Sequence, residues 1–375
     1  LKLGYHEDFM GVLLGVVYVS AGLLALPTAM LCDRIGRRKI LLLSSALLAL
    51  SVALLYTITT GEMLIFASVL YGIAIGAMAV ASSPFMAENS SPEERIHLFS
   101  MSSVVMMASS ILGSLAGGIL PGWFAGLAGE DLESVMPYRF TLYLSLAAVL
   151  LTIVPLVLIK EKNRPRLDRR ERFSLVARVI KSPNVQRLVF VNMLIGVGAG
   201  MVVPFFNVYF YNVLQASEGQ IGLIFSVGQI VMVAGLLIIP MLVGRFGKVR
   251  TIALTELLSI PFLILIGFTM NIYLAAVGYI MRMTLMNMAN PAISSFNMEI
   301  VAEEERATVS SLTQTGWYLL YAVSTVISGI MMSHGSYLLP FLITCIVYAI
   351  AAVAYYVFFL RIEKTRMMPT AVIRT

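Results

Sequence analysis

Apolar runs of membrane-spanning length recur along the whole chain and are separated by short polar turns. They lie at residues 10–31, 40–58, 64–87, 97–121, 138–159, 187–214, 218–243, 251–270, 272–299, 307–333 and 336–360. Because an α-helix needs about 20 apolar residues to cross a bilayer, each run predicts one transmembrane helix. The chain is 59% hydrophobic and 12% charged, with a mean hydropathy of +0.90. The predicted class is an all-α polytopic membrane protein.

A basic linker at residues 161–186 divides the chain into an N-terminal part, 1–160, and a C-terminal part, 187–375, which ends in a short tail. Lys and Arg are concentrated in this linker with the flanking Lys160 and Arg187, in alternate turns between the apolar runs and in the tail. Together these segments hold 23 of the 26. By the positive-inside rule, these segments are predicted to face the cytoplasm. The net charge of +6 therefore reflects membrane topology and indicates no nucleic-acid partner.

The two parts repeat each other at a constant offset of 211 residues. The matching landmarks are Arg34 with Arg245, Gly36 with Gly247, Arg37 with Lys248, Gly11 with Gly222, and Glu88 with Glu299. Two copies with the same orientation are typical of one large class of secondary transporters. The offset also pairs the run 187–214 with positions that precede the chain. We therefore expect about 25 or more further N-terminal residues, which form a first membrane helix.

The turn between the first two runs carries the most specific motif. Residues 29–39 read AMLCDRIGRRK and resemble the motif G-x-L-A-D-R-x-G-R-R-K between the second and third helices of the major facilitator superfamily. Ala29 and Cys32 replace a glycine and an alanine, and a degenerate second copy at residues 244–248 lacks the aspartate. The resemblance implies two pseudo-symmetric six-helix bundles, of which this chain holds helices two to six and seven to twelve.

The resemblance also implies that these two turns control a cytoplasmic gate. In the family, the aspartate at the end of the second helix meets the start of the eleventh, and basic residues pair with acids at the ends of the fourth and tenth helices. The predicted gating residues are Asp33, Arg34, Gly36, Arg37, Arg38, Lys39, Glu88, Arg245, Gly247 and Glu299. The alternative is that these charges only set the topology.

A run of small residues in the fifth helix resembles the G-P-x-x-G-G motif of proton-coupled exporters. It includes Gly113, Gly117 and Gly118, with Ser114 in place of the proline. Close helix packing alone is the alternative explanation for these residues. Ser68 departs from the arginine that the drug:proton antiporters have at that position, which weakens this assignment.

Arg282 lies about ten residues into the tenth helix, and an ionisable residue at that depth marks function by default. We expect it to bind a polar or anionic substrate or to pair with a carboxylate, and a structural anchor is the alternative. Polar and aromatic residues at helical spacing extend the predicted cavity. Its residues are Arg282, Tyr71, Asn207, Tyr211, Asn287, Asn290, Trp317 and Tyr321. Glu256 is predicted to pair with the basic turn at Arg245 and Arg250, and a functional role within the span is the alternative.

The sequence has no catalytic set, nucleotide loop, cofactor motif or metal-ligand cluster, which argues against an enzyme. We predict a secondary active transporter that moves a small organic solute by alternating access and uses the proton gradient for efflux. An uptake symporter or a facilitator for a polar or anionic solute is the alternative. A non-transporting receptor or scaffold is disfavoured because no soluble module is present. We expect a monomer in the cell membrane.

Overall fold

The computed structural model describes residues 4–129, 134–159, 178–302 and 305–367. The first part of the chain holds α1 (Glu7–Ile35), α2 (Arg37–Thr57), α3 (Gly61–Glu88), α4 (Pro92–Ala128), α5 (Met136–Leu151) and α6 (Ile153–Leu158). The second part holds α7 (Pro183–Val202), α8 (Phe206–Asn212), α9 (Glu218–Phe246), α10 (Lys248–Phe268), α11 (Ile272–Asn287), α12 (Asn290–Glu299), α13 (Arg306–Ser333) and α14 (Leu338–Met367). Most of the predicted basic linker lies outside the described residues.

Eleven segments among the described residues are helical, long enough and apolar enough to cross a membrane, which confirms the predicted number. Three of them are interrupted, and in one of these Thr152 separates α5 from α6. The other two are interrupted near a proline. A 3-10 turn at Val203–Phe205 separates α7 from α8 around Pro204, and Pro291 stands at the start of α12. Because proline lacks an N–H group, it ends the regular hydrogen-bond ladder at these points. The interruption before α8 presents Phe206 and Phe210 to the interior of the second unit, described below.

Both basic turns contain a glycine in a left-handed backbone conformation. We call residues 33–39 the first hinge and residues 244–250 the second hinge. Gly36 has φ +95° between α1 and α2, and Gly247 has φ +84° between α9 and α10. Glycine adopts such angles without the penalty that a Cβ imposes. The 211-residue repeat is therefore present in the backbone as well as in the sequence.

The first compact unit comprises Leu1–Arg172 together with Ser217–Leu223 and Tyr321–Ser336, so the start of α9 and the end of α13 belong to it. Within it, α3 lies against both α1 and α2, and α5 lies against α2 and α4. Small residues allow α1 and α3 to touch through their backbones. A Cβ added to Gly72 would collide with the carbonyl oxygen of Val17.

The second unit comprises Phe173–Ala216, Ile224–Leu320 and Tyr337–Thr375. Its central helix is α10, which lies against α11 and α14, and α14 also packs on α7. The core between these helices is apolar and tightly closed, with Leu188, Ile252 and Phe359 fully buried. Against this background, the buried polar residues of α10, α11 and α14 are exceptional.

Candidate functional site

Arg282 is buried in the second unit and is held by aromatic residues. It is only 4% exposed, and its Nη2 donates a hydrogen bond of 2.7 Å to the hydroxyl of Tyr348 on α14. Its guanidinium carbon lies 5.4 Å from the ring centre of Phe206 and 5.6 Å from that of Tyr348. Cation–π contacts of this kind stabilise a desolvated guanidinium by about 2 kcal/mol. Arg282 therefore has a phenol and two ring faces as partners, where we had considered a carboxylate.

An aromatic cluster extends from this arginine. The ring of Tyr279, one turn before Arg282 on α11, meets Phe206 edge-on at 5.0 Å and stacks on Phe225 at 4.8 Å. Phe210 packs edge-on against Tyr279 at 5.9 Å. Rings around a positive charge form an environment suited to a planar or anionic organic group.

The position of Glu256 differs from the prediction that this residue pairs with the second hinge. It lies about 9 Å along α10 beyond Arg250, which is exposed, whereas Glu256 is only 4% exposed. Its Oε2 has no hydrogen-bond partner among the described residues. The carboxyl group is therefore buried in the second unit, on the helix that packs against α11 and α14, and is not placed among the exposed arginines of the second hinge.

The other predicted cavity residues are distributed over both units. Asn207 is exposed and Tyr211 half-buried, and they lie on a different face of α8 from Phe206. Asn287 donates to the carbonyl oxygen of Met283 at 2.8 Å, and Asn290 is exposed at the start of α12.

Three further predicted cavity residues are partly or fully buried. The carbonyl oxygen of Trp317 closely approaches Gly196 of α7 in the second unit. In the first unit, Tyr71 is half-buried, and Tyr321 is buried against Tyr18, with ring centres 4.4 Å apart. Arg282 thus contacts Phe206 and Tyr348, neither of which was among the predicted cavity residues.

The second hinge is fixed by two acids. Lys248 forms an ion pair with Glu299 at the end of α12 and donates to Ser295 at 2.9 Å. Glu363 of α14 accepts the backbone N–H of Lys248 at 2.6 Å and that of Val249 at 3.2 Å. A carboxylate that receives the first N–H groups of a helix is stabilised by the positive end of the helix dipole. Glu363 therefore caps α10 and ties it to α14.

The first hinge uses a different anchor. Nε of Arg38 donates to the carbonyl oxygen of Leu156 at 3.0 Å, and Nη2 donates to that of Val157. These are among the last carbonyl groups of α6, which have no partner within the helix. Arg34 and Lys39 are exposed. The side chains of Asp33 and Glu88 lie outside what the structure describes.

Two pairs of glycines bring helices into backbone contact within the first unit. A Cβ on Gly11 of α1 would lie 2.8 Å from the carbonyl oxygen of Thr325 and 3.2 Å from Cα of Gly329 on α13. A Cβ on Gly118 of α4 would lie 3.1 Å from Cα of Gly222 on α9. Adding the repeat offset of 211 to positions 11 and 118 gives 222 and 329. The two contacts are therefore equivalent under the repeat.

Within the small-residue motif of α4, Gly118 makes this contact. Gly113 and Gly117 have no atom within 4 Å of an added Cβ, apart from their own helix and chain neighbours. The carbonyl oxygen of Ser114 approaches Gly222. The close approach therefore involves Ser114 and Gly118, which are four residues apart and lie on one face of the helix.

Sequence reasoning missed the aromatic residues around Arg282, which are Phe206, Phe210, Phe225 and Tyr279. It also missed Tyr348, Tyr355 and Glu363. The two tyrosines are seven residues apart, which places them on one face of a helix. That spacing is a usable signal in an otherwise apolar run. Glu363 lies in a charged helix end, and its sequence offers no comparable signal.

Eleven spans, two repeats in one register and a buried cation inside a span define a multi-pass membrane protein with the architecture of secondary transporters. A family model described as Major Facilitator Superfamily matches residues 1–189 and again residues 188–373. These matches cover almost the whole chain, and the chain belongs to that superfamily.

One curated relative is an efflux pump. The chain is 29% identical over 160 residues to the efflux pump azaK of Aspergillus niger. The match covers 42% of this chain and 32% of that protein, so it spans about a third of the pump's length.

Solved structures share the fold. One is a bacterial homologue of the human lysosomal transporter Spinster, solved in an inward-facing and occupied conformation. The superposition has a TM-score of 0.75 at 16% sequence identity, and it covers 95% of this chain and 89% of that chain. The nucleoside transporter NupG gives a TM-score of 0.73 at 14% identity, with 94% of each chain covered. At these identities the likeness concerns the fold, and it confirms the predicted architecture.

Proposed function

We propose that this protein moves a small organic solute across the cell membrane by alternating access and exports it in exchange for protons. The observation that carries the proposal is the buried Arg282, which is placed inside a span among aromatic rings. A charge at that depth is costly and is retained where it binds or couples something. The match to an efflux pump favours export.

The substrate is expected to carry an aromatic or amphiphilic body and a polar or anionic group. The guanidinium of Arg282 supplies a cation with N–H donors, while Phe206 and Tyr279 supply ring faces. Asn207, Tyr211, Tyr71 and the other predicted cavity residues complete the proposed lining. Few polar groups among apolar walls are characteristic of sites for small organic ligands.

Both ends of the helices have elements suited to gating. We assign the two hinges, the basic linker and the C-terminus to the cytoplasmic side, following their charge. The glycine pairs Gly11–Gly329 and Gly118–Gly222 lie at the ends of their helices away from the hinges and form the proposed outer gate. At the cytoplasmic side, Asp33→Asn is expected to slow cycling without changing the range of substrates.

The test uses the complete gene product in inside-out membrane vesicles with an acidic interior, reported by a quenched dye. The vesicles are challenged with lipophilic cations, neutral aromatics, aromatic carboxylates and sugars. Dequenching by particular compounds, absent from vesicles with the empty vector, supports proton-coupled export and identifies the substrate class. Matched vesicles carrying Arg282→Ala at equal protein levels are expected to stay silent.

If no compound of the panel causes dequenching in wild-type vesicles that contain folded protein, proton-coupled export is contradicted. The second candidate function is then uptake or facilitated transport of an anionic solute, which the positive charge of Arg282 favours. Right-side-out vesicles with radiolabelled aromatic carboxylates distinguish it, because accumulation there requires no acidic interior.

A further inference from the structure

Glu256 is a buried carboxyl group inside a membrane-spanning helix, and none of the roles proposed above uses it. It is 4% exposed, and its Oε2 has no hydrogen-bond partner in the described part of the chain. Burying an unpaired polar group costs free energy, and more so when the group is charged. An acid that persists in such a place is a candidate for a functional group.

Three helices lie against α10 and determine what surrounds this acid: α11, α12 and α14. From α11 comes Arg282, whose Nε is also buried and without a partner among the described residues. From α14 come Tyr348 and Tyr355, which are both buried, and Tyr348 binds Arg282. The helices packed on α10 thus bring one buried cation and two buried phenols into the interior that also holds Glu256.

Protonatable groups continue from this point toward the second hinge. Tyr355 follows Tyr348 by about two helical turns, and its hydroxyl is buried without a partner in the described chain. Glu363, two further turns along α14, interacts electrostatically with Tyr355 and is 7% exposed. The charged residue at the end of α12 is Glu299, which is bound to Lys248. Buried polar side chains thus recur along α14 between the level of Arg282 and the hinge end of α10.

We propose that Glu256 is a proton-binding site, which takes up one proton and releases it in each transport cycle. The step is carboxylate plus proton giving the carboxylic acid, and no other bond is made or broken. In the protonated form the acid is neutral, and Arg282 remains bound to Tyr348 as in this structure. In the ionised form, the acid places a negative charge in the buried region where α10 packs against α11, the helix that carries Arg282.

This assignment rests on the proposed proton-coupled transport and names its coupling residue, so its test is made independent of substrate. Purified full-length protein in lipid nanodiscs is titrated with acid and base while its infrared difference spectrum is recorded. The carbonyl stretch of a buried carboxylic acid is expected to appear on acidification. Glu256→Gln is expected to remove this band, whereas Glu62→Gln, a change at an exposed acid of α3, is expected to leave it.

A titrating buried-acid band that survives in folded Glu256→Gln overturns the proposal, as does its absence from the wild type. If Glu256→Gln does not fold, Glu256→Asp provides the test, because its band should persist at a shifted frequency. An Asp spectrum identical to that of the wild type also overturns the assignment. A band that is assigned to Glu256 while the vesicles stay silent leaves the proton site intact and refutes proton-coupled export alone.

Discussion

Removal of the Glu363 carboxylate should destabilise the second unit by an amount that the structure allows us to estimate. Glu363 accepts two backbone N–H groups of α10, at 2.6 and 3.2 Å, and is 7% exposed. Loss of a helix cap costs about 0.5–2 kcal/mol. Each buried N–H left without a partner costs about 1–3 kcal/mol. Since these contributions overlap, Glu363→Ala is expected to cost about 2–4 kcal/mol.

Thermal unfolding of the purified protein in detergent, followed by intrinsic fluorescence at one scan rate, measures this effect. At about 2–4 °C per kcal/mol, Glu363→Ala should lower Tm by about 4–16 °C. Glu363→Gln keeps one acceptor oxygen but loses the charge, so it should give a smaller decrease. The matched control is Glu62→Ala, which removes an exposed acid from the first turn of α3 and should leave Tm nearly unchanged.

The decrease in Tm caused by Glu363→Ala should depend little on salt. A buried carboxylate at a helix end is screened far less than an exposed one, so the decrease in Tm should persist in high salt. Equal Tm values for the Glu363→Ala and Glu62→Ala proteins would refute the capping role. Disappearance of the difference at high ionic strength would show that Glu363 acts only as a surface charge.

Three further substitutions test the other sites. Arg282→Lys keeps the charge but loses the planar fork and the ring contacts, so dequenching in the vesicle assay should fall at least about tenfold. Gly118→Ala inserts a methyl group 2.8 Å from a backbone carbonyl oxygen and should lower both Tm and transport. Gly117→Ala meets nothing within 4 Å beyond its own helix and should change neither. Arg38→Gln frees the last carbonyl groups of α6 and should cost about 1–2 kcal/mol in thermal unfolding, whereas Lys39→Gln, at an exposed site, should have no effect.

Features with a local cause could be predicted from the sequence. A run of about 20 apolar residues suffices to predict a span, and all eleven were predicted in this way. Gly36 and Gly247 could be recognised as hinge residues because a sharp turn between two helices requires a backbone conformation that favours glycine. The repeat offset likewise needed no knowledge of tertiary structure.

The partners of the buried groups could not be predicted, because they depend on which helices become neighbours. Tyr348 is 66 residues from Arg282 in the chain, and Glu363 is 115 residues from Lys248. We had looked for a carboxylate beside Arg282, since charge pairing is the more familiar way to stabilise a buried cation. Here the hydroxyl of Tyr348 and the ring faces of Phe206 and Tyr348 stabilise the cation. In the sequence, these residues look like ordinary members of apolar helices.

The two glycine contacts carry information about the origin of the molecule. Each joins one residue of the first copy to one of the second, and the repeat operation converts either contact into the other. A single ancestral copy would carry both glycines, and two such copies around a twofold axis would form both contacts at once, as an isologous dimer interface does. The helix crossings would then have existed before gene duplication joined the copies. After such a fusion each contact could change separately, and the two glycine contacts of this chain still have the symmetry that such a dimer would have.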